Sequence, residues 1–212
     1  MSSLLRLFAA CAALATAPAL AQNLIQNGSF ESPALGVGNW NIFPGGIPNW
    51  SITTGSGIEV QSNVAGTALA GDQLVELDGS DNSGMAQTVA TQPGAPYLLA
   101  FGYSPRPGQG SLTNAIQVFV DGNLVANIAH DGSANADAVW LRYSYAVTAT
   151  GPAMTIEFRA SGTSDGVGGY VDDVTLTPIA PAAPVPGPTG SLAAALGALL
   201  LPAAWRRLRR RR

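Results

Sequence analysis

Between residues 22 and 178 the apolar positions fall in short runs, separated by clusters of Gly, Pro, Asn, Asp and Ser. None of the runs carries the 3.6-residue stripe of an amphipathic helix. Nine of them read as strands: Ile58–Gln61, Gln73–Leu77, Ala86–Val89, Tyr97–Tyr103, Ala115–Val120, Asn123–His130, Val139–Val147, Met154–Ala160 and Tyr170–Thr177. In one of these, Val139, Leu141, Tyr143, Tyr145 and Val147 share a face, while Trp140, Arg142 and Ser144 take the other. Asp121-Gly122 is the best hairpin turn, which predicts that the two strands flanking it are antiparallel neighbours. No repeat at a fixed period stands out, which argues against a solenoid or propeller. The pattern predicts an all-β, antiparallel β-sandwich of jelly-roll type.

The two ends break this pattern. Arg6, an apolar run from Leu7 to Leu20 and the small-x-small site Ala19-Leu20-Ala21 make residues 1–21 a secretory signal peptide, with Gln22 as the new N-terminus. The run is short for a membrane span. Cleavage would also remove Cys11, the only cysteine, so the domain over 22–178 has neither a disulfide nor a thiolate. Beyond it lies a Pro/Ala-rich linker over 179–188. Residues 189–212 then comprise an apolar segment, read as a helix, and a tail with six arginines from Trp205 to Arg212. Arginines on that side predict a cytoplasmic end, with the globular part outside the membrane.

Setting the ends aside changes the charge. Seven of the ten basic residues lie in the signal peptide and tail, leaving Arg106, Arg142 and Arg159. All thirteen acidic residues fall between Glu31 and Asp173, so the domain has a formal charge of −10 behind a whole-chain value of −3. Such a field repels nucleic acid and anionic lipid, and suits Ca²⁺ or neutral ligands. Catalysis has little to work with. His130 is the only histidine, reads as an exposed turn residue and has no nucleophile elbow to serve. Glu76 and Asp78 make an acid pair on one strand face, where solvation at the surface is expected, and the glycine-rich stretch Gly162 to Gly169 reads as a loop. The protein is not expected to be an enzyme.

Two segments stand apart, Asn27-Gly28-Ser29-Phe30-Glu31 and Tyr170-Val171-Asp172-Asp173-Val174. In a sandwich whose first and last strands lie together, Glu31 and one of the aspartates can meet across a cation, with backbone carbonyls completing an oxygen shell. Separately solvated surface acids are the alternative. With Ile47-Pro48-Asn49-Trp50, Gly57-Ile58-Glu59-Val60, Gly71 to Gly79 and Gln87-Thr88-Val89 between them, these segments resemble the DUF642 family over 23–177. More distantly they resemble carbohydrate-binding modules of the CBM4/9/22 type, in the galactose-binding-like superfamily. The resemblance implies a structural Ca²⁺ between first and last strands. It would be held by Glu31, the Ser29 carbonyl and an aspartate of the Asp172-Asp173 pair, with a group near Asp72 as a further candidate. The tail is similar to the PEP-CTERM sorting signal of Gram-negative bacteria, with Val185-Pro186-Gly187-Pro188 carrying glycine where the usual pattern has glutamate. That resemblance implies an exosortase-type sorting enzyme as partner, and delivery to the cell surface or extracellular matrix.

Sugars bind exposed aromatic faces bracketed by hydrogen-bonding side chains. Tyr103 and Arg106, where a strand runs into the loop Ser104–Ser111, are the expected exposed pair. Trp50 follows a Pro-Asn turn and reads first as core, with ligand contact as its other role. Arg142, inside a strand, either pairs across the sheet or grips a ligand. Tyr103, Arg106, Arg142 and Trp50 form the candidate ligand set. The reading is an exported, calcium-stabilised, carbohydrate-binding-like module for a polysaccharide or glycan, with no nucleic-acid partner and membrane contact only through the C-terminal segment. The alternative is an adhesive matrix protein that binds other proteins and no glycan.

Overall fold

The computed structural model describes residues 22–180. The expected signal peptide, the expected C-terminal apolar helix with its Arg-rich tail, and nearly all of the linker lie outside the described residues. Eleven strands are present: β1 (Trp40–Phe43), β2 (Ser51–Thr54), β3 (Ile58–Gln61), β4 (Leu74–Glu76), β5 (Gly84–Ala90), β6 (Pro96–Ser104), β7 (Ile116–Val120), β8 (Asn123–Ile128), β9 (Leu141–Thr148), β10 (Ala153–Ala160) and β11 (Tyr170–Pro178). They form two antiparallel sheets, ordered β1-β3-β4-β11-β6-β9 and β2-β5-β10-β7-β8. The described residues contain no helix, as the periodicity predicts.

Each sheet turns one face inward, so the alternate residues of a strand fill the core. Leu99, Phe101 and Tyr103 of β6 and Met154, Ile156 and Phe158 of β10 are fully buried there. Phe158 stands between Trp50 and Phe101, with ring centroids 6.2 and 5.0 Å away. The alternation read here holds within β9, where Tyr143, Tyr145 and Val147 pack against the core while Arg142 and Ser144 face out, but Val139, expected on the core face, lies before the strand and is 50% exposed. The Asp121-Gly122 turn joins β7 to β8, with both residues at positive φ (49° and 76°), as a type I′ hairpin requires. Strands β1 and β2 are additions to the nine predicted. They are four residues each, half-exposed, and lie among prolines and glycines that obscure their alternation.

The entry of the chain lies along its exit. Leu24 N–H donates to the Leu176 carbonyl at 2.9 Å, Leu176 N–H to Asn23 Oδ1 at 2.9 Å, and Val174 N–H to the Gly28 carbonyl at 2.9 Å. The approach at Gly28 admits no side chain, since a Cβ there would stand 2.1 Å from the Val174 carbonyl oxygen. A bulge in β11 between Asp172 and Thr175 accommodates this contact.

Candidate functional site

Around that junction three non-glycine residues occupy the left-handed region: Asn27 (φ 51°), Phe30 (φ 58°) and Asp173 (φ 50°). Such a conformation is a genuine outlier for a residue as bulky as phenylalanine. Surrounding contacts hold it: the buried Phe30 ring packs on Trp50 at 5.5 Å, and Trp50 Nε1–H donates to the Asn27 carbonyl at 3.1 Å. The turn at residue 30 places Glu31 against the stretch 69–73. Its Oε1 accepts from the N–H groups of Asp72 and Gln73, both at 2.9 Å. From the last strand, Asp172 Oδ2 accepts from Leu69 and Ala70 N–H at 2.8 and 2.9 Å. The entering segment, which forms no strand of its own here, and the last strand β11 thus each send one carboxylate to the same five residues.

Asp172 is fully buried, and burial pushes its carboxyl up to about 7, even though three backbone N–H groups favour its charged form. Its neighbour Asp173 turns the other way and pairs with Arg142 at 2.5 Å. Asp173 therefore departs from the predicted metal set, and Arg142 takes its cross-sheet role. The donors left at the junction are hard oxygens: Glu31, Asp172 and the Ser29 carbonyl, which accepts no hydrogen bond among the described residues. This donor set fits Ca²⁺ and offers nothing to softer metals. No group of three or more acidic, histidine or cysteine side chains is placed to hold a metal among the described residues, so a calcium ion would depend on backbone oxygens as well.

A second cluster lies on the outer face of the six-stranded sheet. Glu59 and Glu76 are cross-strand partners, both buried, and the Gln61 amide nitrogen donates to both, to Glu59 Oε1 at 2.8 Å and to Glu76 Oε2. Arg106 pairs with Glu76, and Gly168 N–H donates to its other oxygen. Tyr170, opposite Glu76 in β11, has a buried hydroxyl with no partner, and Gln61 Oε1 and Ser62 Oγ are in the same position. Burial raises the Glu76 carboxyl to about 8, with Glu59 adding repulsion against the pull of Arg106, and burial raises Glu59 too. At the rim, Trp40 of β1 is paired opposite Gln61, so both side chains leave the same face. The tryptophan is 55% exposed.

The predicted ligand residues fare unevenly. Tyr103 is fully buried in the core, its hydroxyl donating to the Asn114 carbonyl at 2.8 Å, so the expectation of exposure is corrected. Trp50 is 2% exposed and has no face for a ligand, so its core reading stands and its place in the ligand set does not. Arg106 belongs to the acid cluster, with 20% of its side chain exposed. Glu76 and Asp78, expected to be solvated, are both fully buried. Sequence reasoning missed Glu59 and Gln61 as site residues. The signal was present, since they alternate with Ile58 and Val60 and so point away from the core.

The profile of a family described as "Protein of unknown function (DUF642)" matches residues 23–177. Among curated proteins, a multifunctional-autoprocessing repeats-in-toxin protein of Vibrio cholerae serotype O1 is 29% identical over 158 residues, covering 74% of this chain. Its counterpart in Vibrio vulnificus is 28% identical over 157 residues, covering 73%. The chain spans about 3% of the length of either toxin. Similar solved structures include TmCBM61 in complex with β-1,4-galactotriose, at 18% identity and TM-score 0.46, covering 74% of this chain and 99% of that one. The K1 cleaved adhesin domain of Lys-gingipain from Porphyromonas gingivalis W83 has 14% identity and TM-score 0.49, covering 65% and 96%.

Proposed function

The chain belongs to the DUF642 family, and from that premise we propose that it is an exported cell-surface or matrix protein whose β-sandwich is clasped by calcium and binds a glycan without altering it. The observation that carries the glycan reading is Trp40 standing exposed on the same sheet face as Arg106, Glu59 and Glu76. A sugar offers apolar CH faces to an aromatic ring and hydroxyls to charged acceptors and donors. Strand β1 is two strand spacings from β4, about 10 Å, room for a sugar ring between the tryptophan and the Arg106–Glu76 pair. The domain's negative charge favours neutral or cationic polysaccharides. Catalysis is disfavoured by the Gln61 amide, which fills the space between Glu59 and Glu76 where a glycosidase would hold the scissile bond. Residues 1–21 as a signal peptide, and the tail as a substrate for an exosortase-type enzyme, complete the reading.

Screening the chain on a glycan array, then titrating the best polysaccharide, tests it. Trp40→Ala is expected to weaken binding about tenfold, the loss of one stacking contact, with little change in melting temperature. A protein that binds no polysaccharide, or a Trp40→Ala protein that binds as well as the parent, overturns the reading.

For the clasp, Ser29, Glu31 and Asp172 would hold the ion, which would neutralise two carboxylates and tie the entering segment to the last strand. A ligand bound only by the native state adds about 2.7 kcal/mol when present at 100 times its Kd. The melting temperature is therefore expected to fall by several degrees on passing from calcium to EDTA, and Glu31→Gln is expected to reduce the difference. Equal melting temperatures in calcium and EDTA would remove the ion from the account.

A further inference from the structure

After β4 the chain turns through Asp78-Gly79-Ser80-Asp81-Asn82, and Asp78 and Asn82 face each other in an antiparallel bridge. Both reach the loop that precedes β11. Asp78 Oδ2 accepts from Asp165 N–H at 3.0 Å. Asn82 donates its side-chain amide to the Gly162 carbonyl at 2.8 Å, and its backbone N–H to Ser164 Oγ at 3.0 Å. These bonds occupy the backbone donor of Asn82, one N–H of its amide and one oxygen of Asp78. What remains is two acceptors, Asp78 Oδ1 and Asn82 Oδ1, both buried and both without a hydrogen-bond partner. Asp78 as a whole is fully buried.

Two acceptor oxygens cannot satisfy each other while Asp78 is ionised, because neither then carries a proton to share. The charge around them is also unbalanced. Asp165 and Asp81 act on Asp78, and both are carboxylates. The ion pairs found among the described residues, Arg106–Glu76, Arg142–Asp173 and Arg159–Glu157, leave this turn out. Neighbouring backbone packs close, since a Cβ on Gly168 would stand 2.9 Å from the Asp78 Cβ, so a bulky ligand has no entry. A small cation meets every term: it ligates both orphaned oxygens, offsets the carboxylates and needs little room.

We propose that the turn 78–82 and the loop 162–166 hold a divalent cation, calcium by the all-oxygen donor set, with Asp78 Oδ1 and Asn82 Oδ1 as inner ligands and the Asp165 carboxylate closing the shell from the surface. The site shares no residue with the clasp at Glu31 and Asp172, so the two stand or fall separately.

Calorimetric titration of Ca²⁺ alone into the EDTA-stripped full chain tests this in four proteins: the parent, Asp78→Asn, Asp165→Ala and Glu31→Gln. Asp78→Asn and Asp165→Ala are each expected to weaken one calcium-binding event by thirtyfold or more, and Glu31→Gln to leave that event in place. Asp165 is exposed and receives only the Thr113 hydroxyl at its side chain, so its variant keeps the test alive if the buried substitution fails to fold. Calcium binding lost in Glu31→Gln but unchanged in Asp165→Ala and Asp78→Asn overturns the site and leaves the clasp standing. Parent protein that takes up no Ca²⁺ at millimolar concentration overturns both.

Discussion

Replacing Trp50 with alanine is expected to destabilise the protein by about 3–5 kcal/mol, the range for removing a buried tryptophan, and to leave it partly unfolded at ordinary temperature. The side chain touches two aromatic neighbours, Phe30 at 5.5 Å and Phe158 at 6.2 Å, and so bridges the entering segment to β10. Its indole N–H donates to the Asn27 carbonyl, two residues before Ser29. Loss of the ring opens a cavity and frees the strained turn at Phe30 in one step. Chemical denaturation at two temperatures measures the effect. A loss below about 1 kcal/mol would mean the core closes without the indole. Trp50→Phe, keeping most of the volume but not the N–H, is expected to recover more than half of the loss.

The second large effect is alkaline. Glu59 and Glu76 both have carboxyls raised above the ordinary range by burial, Glu76 to about 8. The folded protein therefore keeps protons that the unfolded chain has given up above about pH 4.5. Stability from this pair is full below that ordinary value and is lost as pH climbs toward 8, by up to about 1.4 kcal/mol per pH unit per proton. In EDTA, the melting temperature is expected to decline from pH 5 to pH 8 and then to level off. Asp172, pushed up to about 7 by burial, adds to the decline in the same window, whereas Asp81, Asp131, Asp137 and Glu157 are shifted below their ordinary values, so their contribution is lost only in more acid solution. Glu59→Gln removes the charge that opposes ionisation of Glu76 and is expected to flatten the decline. An unchanged slope in that variant would place its origin elsewhere.

How much of this was legible in the sequence follows from which interactions are local. Period-2 alternation and turn chemistry depend on neighbours along the chain, and they found nine of the strands and the hairpin at Asp121-Gly122. The same alternation would have placed Tyr103 correctly. Tyr97, Leu99, Phe101 and Tyr103 share a face of β6, and all four are buried. The composition of the loop that follows, rich in proline and glycine, pointed the other way, and the strand's own period was the better guide. Glu76 and Asp78 were misread for a different reason. Their burial comes from distant segments, with Gly168 packed on Asp78 and donating to Glu76. Nothing within a strand reports that a remote loop will fold over its outward face. The meeting of Glu31 and Asp172 on one stretch is equally non-local, 141 positions apart in the numbering. It was anticipated from the carboxylates in the two end segments, and the family resemblance strengthened that expectation.

The bonds from Leu24 to Leu176 and from Val174 to Gly28 mean that the domain has a single doorway: the polypeptide arrives and departs at one place on its surface. A unit built this way can be spliced into the middle of a far longer host, or cut and rejoined elsewhere as a circular permutant, with no need to span its own diameter. A host carrying such a unit would need only to bring two ends to the same point.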